Sequence, residues 1–200
     1  MTSRYMFDAA KRFADKHPGK VISTSLLRPG YHDKLGNKSP GYPSRKDDDK
    51  TKRKNAIVAH TVAHLKQKYN ATRVLGVGHS GGAIMLGAII GQQPDLFDAV
   101  VLTSMACNIP QWRQHRSGRN TMPRSQSPKK FARNISPGII IRAIAGKKDH
   151  NILPHHTTDC VRLYKKRGAD AKAIIVEDAG HSRGLRETAE AQYGKLLFEH

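Results

Sequence analysis

Apolar positions along this 200-residue chain fall into two alternating kinds of run. Short, unbroken, β-branched runs predict buried strands at Val21 to Leu27, at the stretch ending in Gly78, and at Asp98 to Ser104, Gly138 to Ala145 and Ala171 to Val176. Apolar residues at helical spacing predict helices between them. The first runs from Ser3 to Lys16, with Ser3 as N-cap, on Met6, Ala9, Ala10 and Phe13. The second runs from Thr51 to Tyr69 on Val58, Val62, Leu65 and Tyr69. Others cover Gly82 to Gly91, His155 to Arg167 and Leu185 to Phe198. Strands that are apolar throughout and alternate with helices imply a mostly parallel sheet of about five strands with helices on both faces. The chain is expected to form one domain over residues 1–200.

Two stretches break the pattern. From Arg28 to about Asp49 the chain is rich in Gly, Pro, Lys and Asp, which predicts a surface loop. Residues 108–133 are polar, basic and interrupted by prolines, so they predict a surface excursion or a reduced lid, with Trp112 as a packed residue or an apolar anchor.

Charge adds a question about partners. Thirty-five Lys and Arg against 16 Asp and Glu leave a net charge of +19, a field that attracts an anionic partner such as nucleic acid, anionic lipid or an acidic substrate. The two cysteines, Cys107 and Cys160, match neither a disulfide scaffold nor a metal knuckle and are expected to be reduced and buried. No apolar run reaches the length of a membrane span and Met1 to Lys20 has no signal-peptide core, so the chain as written is expected to be soluble and cytoplasmic. His60 and His64, four apart on a helix, lack the glutamate that a metalloprotease helix places beside its first histidine, since Thr61 stands there. His150, His155 and His156 have no carboxylate or thiolate pattern around them and read as loop and helix-start residues. No metal or other cofactor is expected.

The chemistry is concentrated where strands end. Gly78-His79-Ser80-Gly81-Gly82 fits G-x-S-x-G between a strand and a helix, where glycines relieve close strand-helix contacts and a sharp turn exposes the serine hydroxyl. The N–H of Gly81 then lies at a helix N-terminus, facing the place where an oxyanion develops. Asp149 follows the fourth predicted strand and His181 the fifth, and reactive groups in parallel sheets gather at those carboxyl ends. Asp178 competes with Asp149 for the acid role but belongs to the same strand end as the histidine. The order Ser, Asp, His is that of nucleophile-elbow hydrolases.

On these motifs the chain resembles the α/β-hydrolase family, including its dipeptidyl-peptidase-like and esterase-like members. GVGHSGGA is similar to the family's elbow, AGKKDHNILP to its acid turn and DAGHSRG to its histidine loop; TSLLRPGY and PDLFDAVVLTS extend the likeness over nearly the whole chain. The resemblance implies a serine hydrolase that cleaves a small-molecule ester or peptide through an acyl-enzyme. Ser80 would be the nucleophile, His181 the general base, Asp149 its orienting acid and Gly81 an oxyanion donor. It also implies a departure: the family's strands before the first helix, and the His-Gly loop that supplies a second oxyanion donor, have no counterpart after Met1. Truncation or a minimal variant would explain this, and either implies low activity. Two other readings stand beside this one: a basic binding module for an anionic partner, and an acyltransferase or haloperoxidase-like enzyme on the same fold.

Overall fold

The computed structural model describes residues 4–33, 35–41 and 49–198; the expected Ser3 cap, the Met6 side chain and loop residues 42–48 lie outside the described set. The chain divides into two compact units, Met1–Asp48 and Asp49–His200.

The first unit holds helix α1 (Arg4–Asp15), with Ala9 buried and Phe13 half-buried on its inner side. The expected strand Val21 to Leu27 is absent: the segment has no sheet pairing, and Ile22 is 58% exposed. A β-branched run favours extended backbone, but only a partner strand makes it a sheet. The loop beyond is ordered by side chains. Asp33 Oδ1 accepts the N–H groups of Leu35 and Asn37, both at 2.9 Å, closing a turn around the isolated antiparallel bridge His32–Lys38.

The second unit contains the sheet. Its elements are α2 (Lys52–Lys68), β1 (Leu75–His79), α3 (Gly81–Gln92), β2 (Ala99–Thr103), α4 (Ile109–Ser117), α5 (Pro128–Phe131), β3 (Ile140–Gly146), α6 (Pro154–Lys165), β4 (Asp170–Val176) and α7 (Arg186–Phe198). The four strands are all parallel, in the order β1-β2-β3-β4. The sheet thus has four strands where about five were expected, the difference being Val21 to Leu27.

Because the order never reverses, right-handed crossovers place every connecting helix on one face. There α3 and α6 pack on the sheet, bridged by α5, with α2 against α3. The sequence of α3, GGAIMLGAIIGQ, is apolar all round, as suits a helix buried from Ala83 to Gly91 between sheet and neighbours. Val100, Leu102, Ile141 and Ala143 join its core; Val101, Ile140 and Ile144, also buried, face the other way, because side chains alternate along a strand. On that second face α7 packs across β1, β2 and β3 with Ala189, Tyr193 and Leu196 inward.

Residues 108–133, expected to be a surface excursion or a reduced lid, form α4 and α5 and contribute Ile109, Trp112 and Ala132 to the core. Their apolar residues are too sparse to show a helical period in the sequence. The cysteines depart further from expectation. Cys107 and Cys160 form a disulfide, with Cα atoms 5.1 Å apart, inside the range such a bond requires. They are 53 residues apart, so no local spacing marks them; the crossover topology brings the exit of β2 against α6. Among the described residues no helix is long and apolar enough to cross a membrane.

Candidate active site

Three of the four strands carry the expected residues just past their carboxyl ends: Ser80 after β1, Asp149 three residues after β3 and His181 five residues after β4. Parallel register brings these ends to one edge of the sheet. There His181 Nε2 is 2.9 Å from Ser80 Oγ, and His181 Nδ1 is 2.9 Å from Asp149 Oδ2. Asp178 is elsewhere; its carboxylate accepts a bond from Lys148 Nζ at 2.8 Å and is 91% exposed.

The elbow is built by backbone geometry. Ser80 has φ 50° and ψ −117°, a conformation that costs a non-glycine residue about 1–3 kcal/mol. Two hydrogen bonds hold it there: Ser80 N–H donates to Thr103 O at 2.8 Å, and Ile84 N–H donates to Ser80 O at 2.9 Å as α3 begins. The two motif glycines are not equivalent. A Cβ on Gly78 would come within 2.8 Å of the Ala83 backbone, whereas one on Gly82 would meet nothing within 4 Å. The close strand-helix approach anticipated for both belongs to Gly78 alone. Gly81 opens α3, so its N–H has no acceptor within the helix.

Asp149 is 1% exposed, and its surroundings settle its charge. Burial alone raises a carboxyl pKa, but the hydrogen bond from His181, the N–H groups of Ile152 and Asn151 on Oδ1 at 2.9 and 2.8 Å, and the charge of a protonated His181 outweigh it. The net shift is downward, so Asp149 is ionised at neutral pH. With Asp149 as acceptor, His181 carries its proton on Nδ1, and Nε2 is the acceptor for the Ser80 hydroxyl.

Several neighbours are missing from the sequence-based site. His79, the variable residue of the elbow motif, has Nδ1 2.9 Å from Thr103 Oγ1 and Nε2 2.9 Å from Ser182 Oγ. Thr103 Oγ1 donates to Gly78 O at 3.2 Å, so it accepts from His79 Nδ1–H, and Ser182 donates to Nε2. Burial, then the nearby His181, lowers the His79 pKa to about 4 against the opposing pull of Asp149. Ser104, also at positive φ (50°) and fully buried, donates its hydroxyl to His181 O at 2.8 Å and so steadies the histidine loop. Asn151 Nδ2 lies 3.2 Å from His181 Nε2. Its other groups face α4: Trp112 Nε1 donates to Asn151 O at 2.8 Å, and Arg116 Nε to Asn151 Oδ1 at 3.1 Å. Asn151, two residues from Asp149, Ser182, next to His181, and His79, inside the elbow motif, have a place in the sequence that points to the site, whereas Thr103 and Ser104 are marked only as the end of a predicted strand.

Among the described residues no group of three or more His, Cys, Asp or Glu side chains is arranged to hold a metal ion. His60 and His64 are exposed on α2, and His155 and His156 lie in the first turn of α6.

A four-stranded parallel sheet, helices on both faces, and a nucleophile elbow followed by strand-end Asp and His define the α/β-hydrolase fold. Within it, the sequence model of the prolyl oligopeptidase family matches residues 45–197, and the chain belongs to that family. Solved structures agree on the fold. The acylaminoacyl peptidase of Pyrococcus horikoshii matches in its orthorhombic crystal form with a TM-score of 0.62 at 14% identity, over 80% of this chain and 30% of that one. In its uncomplexed form the same peptidase matches with a TM-score of 0.51 at 19% identity, over 64% and 23%. Est1E from Butyrivibrio proteoclasticus matches with a TM-score of 0.60 at 14% identity, over 74% of this chain and 69% of that one. The chain therefore spans less than a third of the peptidase it resembles. No curated protein sequence gives a significant match.

Proposed function

We propose that the chain carries the catalytic centre of a serine hydrolase that cleaves an ester or amide bond of a small molecule or peptide through an acyl-enzyme. One observation carries the reading: a single imidazole, His181, spans Ser80 and Asp149 at 2.9 Å on either side. A serine hydroxyl is a weak nucleophile until a base takes its proton. His181 Nε2 is within reach of that proton, so Ser80 Oγ attacks the carbonyl carbon as the proton moves to the imidazole. Asp149, buried and ionised, holds the ring through Nδ1 and stabilises the imidazolium. The carbonyl oxygen becomes an oxyanion near the Gly81 N–H, where the start of α3 adds its partial positive charge. His181 returns the proton to the leaving group, and water, activated by the same imidazole, releases the acid. The membership in the prolyl oligopeptidase family supports this reading, as does the likeness to a solved structure named as an acylaminoacyl peptidase.

The test is labelling with a fluorophosphonate probe together with hydrolysis of a p-nitrophenyl ester. The wild-type chain is expected to label at Ser80, and Ser80→Ala to lose both label and turnover. Labelling that persists in Ser80→Ala, or a wild-type chain that never labels, would overturn the proposal. Adding excess alcohol or amine acceptor separates hydrolysis from acyl transfer by the products formed.

A further inference from the structure

A second polar centre lies away from the strand ends. A cleft of about 280 Å³ opens between the start of α4, α5 and one side of α6, and none of Ser80, Asp149 and His181 lines it. Its cations are Lys129 on α5, Arg162 on α6 and Lys166 capping the end of α6, the last two four residues apart and so on one side of the helix. Its single acid, Asp159, is taken by Arg162 Nη2 at 2.6 Å. Among the described residues neither Lys129 nor Lys166 has an ion-pair partner, so the cleft wall carries a surplus of two positive charges. The wall also includes His156, 2% exposed, whose Nε2 is buried with no hydrogen-bond partner in the protein. Buried polar atoms are almost always paired, so an orphan in the wall of a basic cleft points to a ligand atom.

We propose that this cleft binds a small phosphate-bearing anion, inorganic phosphate or a phosphomonoester, with Lys129, Arg162 and Lys166 supplying the countercharge and His156 Nε2 a hydrogen bond. The surplus of two charges decides between anions. A phosphomonoester carries about −1.5 to −2 at pH 7, whereas a carboxylate would neutralise one cation and leave the other unmatched. The size of the cleft, at the small end for ligand sites, fits a phosphate with a modest substituent. Asn108 and Gln111, at the entrance to α4, offer amides to that substituent. His156 supports the assignment by its charge state. Burial, then the neighbouring His155 and His115, lower its pKa to about 4, so at neutral pH it is an uncharged imidazole able to donate one hydrogen bond. The inference does not depend on the hydrolase reading, because it shares no residue with that site.

The test is a nuclear magnetic resonance titration of the full chain with inorganic phosphate at constant ionic strength, chloride being exchanged for phosphate. Saturable shifts are expected at His156 Nε2 and at the Gln111 and Asn108 amides. In Lys129→Gln/Lys166→Gln the Kd should rise at least about tenfold, since each charge-assisted contact is worth roughly that factor. Both lysines are exposed, so this variant keeps the fold, and its fluorophosphonate labelling at Ser80 should equal that of the wild type. A second arm replaces phosphate with phosphatidylcholine vesicles containing phosphatidic acid. Equal shifts with free phosphate assign a soluble ligand, and shifts with vesicles alone assign a lipid headgroup. Shifts that do not saturate, that spread over all surface lysines and arginines, or that survive unchanged in the double variant would overturn the proposal.

Discussion

His181, in the loop after β4, and His156, in the first turn of α6, stand in two regions of one compact unit, and their surroundings differ in what is finished. His181 is 26% exposed at the strand ends, yet both its ring nitrogens are engaged, with Asp149 on one side and Ser80 and Asn151 on the other. His156 is 2% exposed, in the wall of the α4–α6 cleft, and its Nε2 has no protein partner. Burial alone therefore does not identify a reactive histidine. A group that must move a proton needs fixed partners and an open side; a group that receives a ligand needs a partner left for that ligand to supply.

The sharpest way to break the comparison is to remove the finished side. Asp149→Asn keeps the shape of the acid but offers an N–H to Nδ1, which favours the tautomer with the proton on Nε2. That proton then faces Ser80 Oγ, where an acceptor is required. The expected loss in kcat for p-nitrophenyl ester hydrolysis is about 10⁴-fold, with KM little changed. Phosphate binding at the α4–α6 cleft should be unaffected. A loss below tenfold would show that Asp149 does not orient His181.

The disulfide tests whether the two regions are mechanically separate. Cys107 lines the cleft, Cys160 lies on α6, and the bond between them closes a loop of 53 residues. By chain entropy such a loop is worth about 4 kcal/mol. Cys160→Ala should lower the denaturation midpoint in guanidinium by an amount of that order. The rate of fluorophosphonate labelling of the folded protein should stay within about twofold, because Ser80, His181 and Asp149 are held by β1, β3, β4 and their loops. A labelling rate that collapses along with stability would mean the α4–α6 contact is part of the hydrolytic site.

The legibility of these features in the sequence follows the range of the interactions that make them. Ser80 follows its strand directly, and Asp149 and His181 follow theirs within three and five residues, so local pattern marked all three as candidates, and parallel register brings them together. The four strands, with α3 and α6 between them, were readable for the same reason, whereas α4 and α5 were not. What escaped depends on distant partners. Val21 to Leu27 has the composition of a strand and no pairing, Cys107 meets Cys160 across 53 residues, and Ser104 reaches His181 O across 77. The difference between Gly78 and Gly82 was also hidden, because it rests on which of them faces the Ala83 backbone.

A smaller effect sharpens the comparison through acid. His79 and His156 both have pKa values lowered to about 4, with burial the leading cause in each, but His79 has protein partners on both nitrogens. In the unfolded chain each imidazole protonates near 6.5. Between about pH 4 and 6.5 the unfolded state therefore binds more protons, so stability rises with pH across that window and falls as pH drops through it. Asp149 acts in a separate window: its lowered pKa contributes stability above the ordinary carboxylate range, lost only as pH falls below about 3.8. Melting temperature measured from pH 7 to pH 4.5 should thus fall in the wild type, and fall less steeply in His79→Gln and in His156→Gln. The two variants should part when phosphate is added. A bound phosphate should lift the melting temperature of His79→Gln as it does that of the wild type, and should do so weakly in His156→Gln, whose imidazole contact is gone. Equal stabilisation of both variants would mean that the unpartnered nitrogen of His156 takes no part in the cleft.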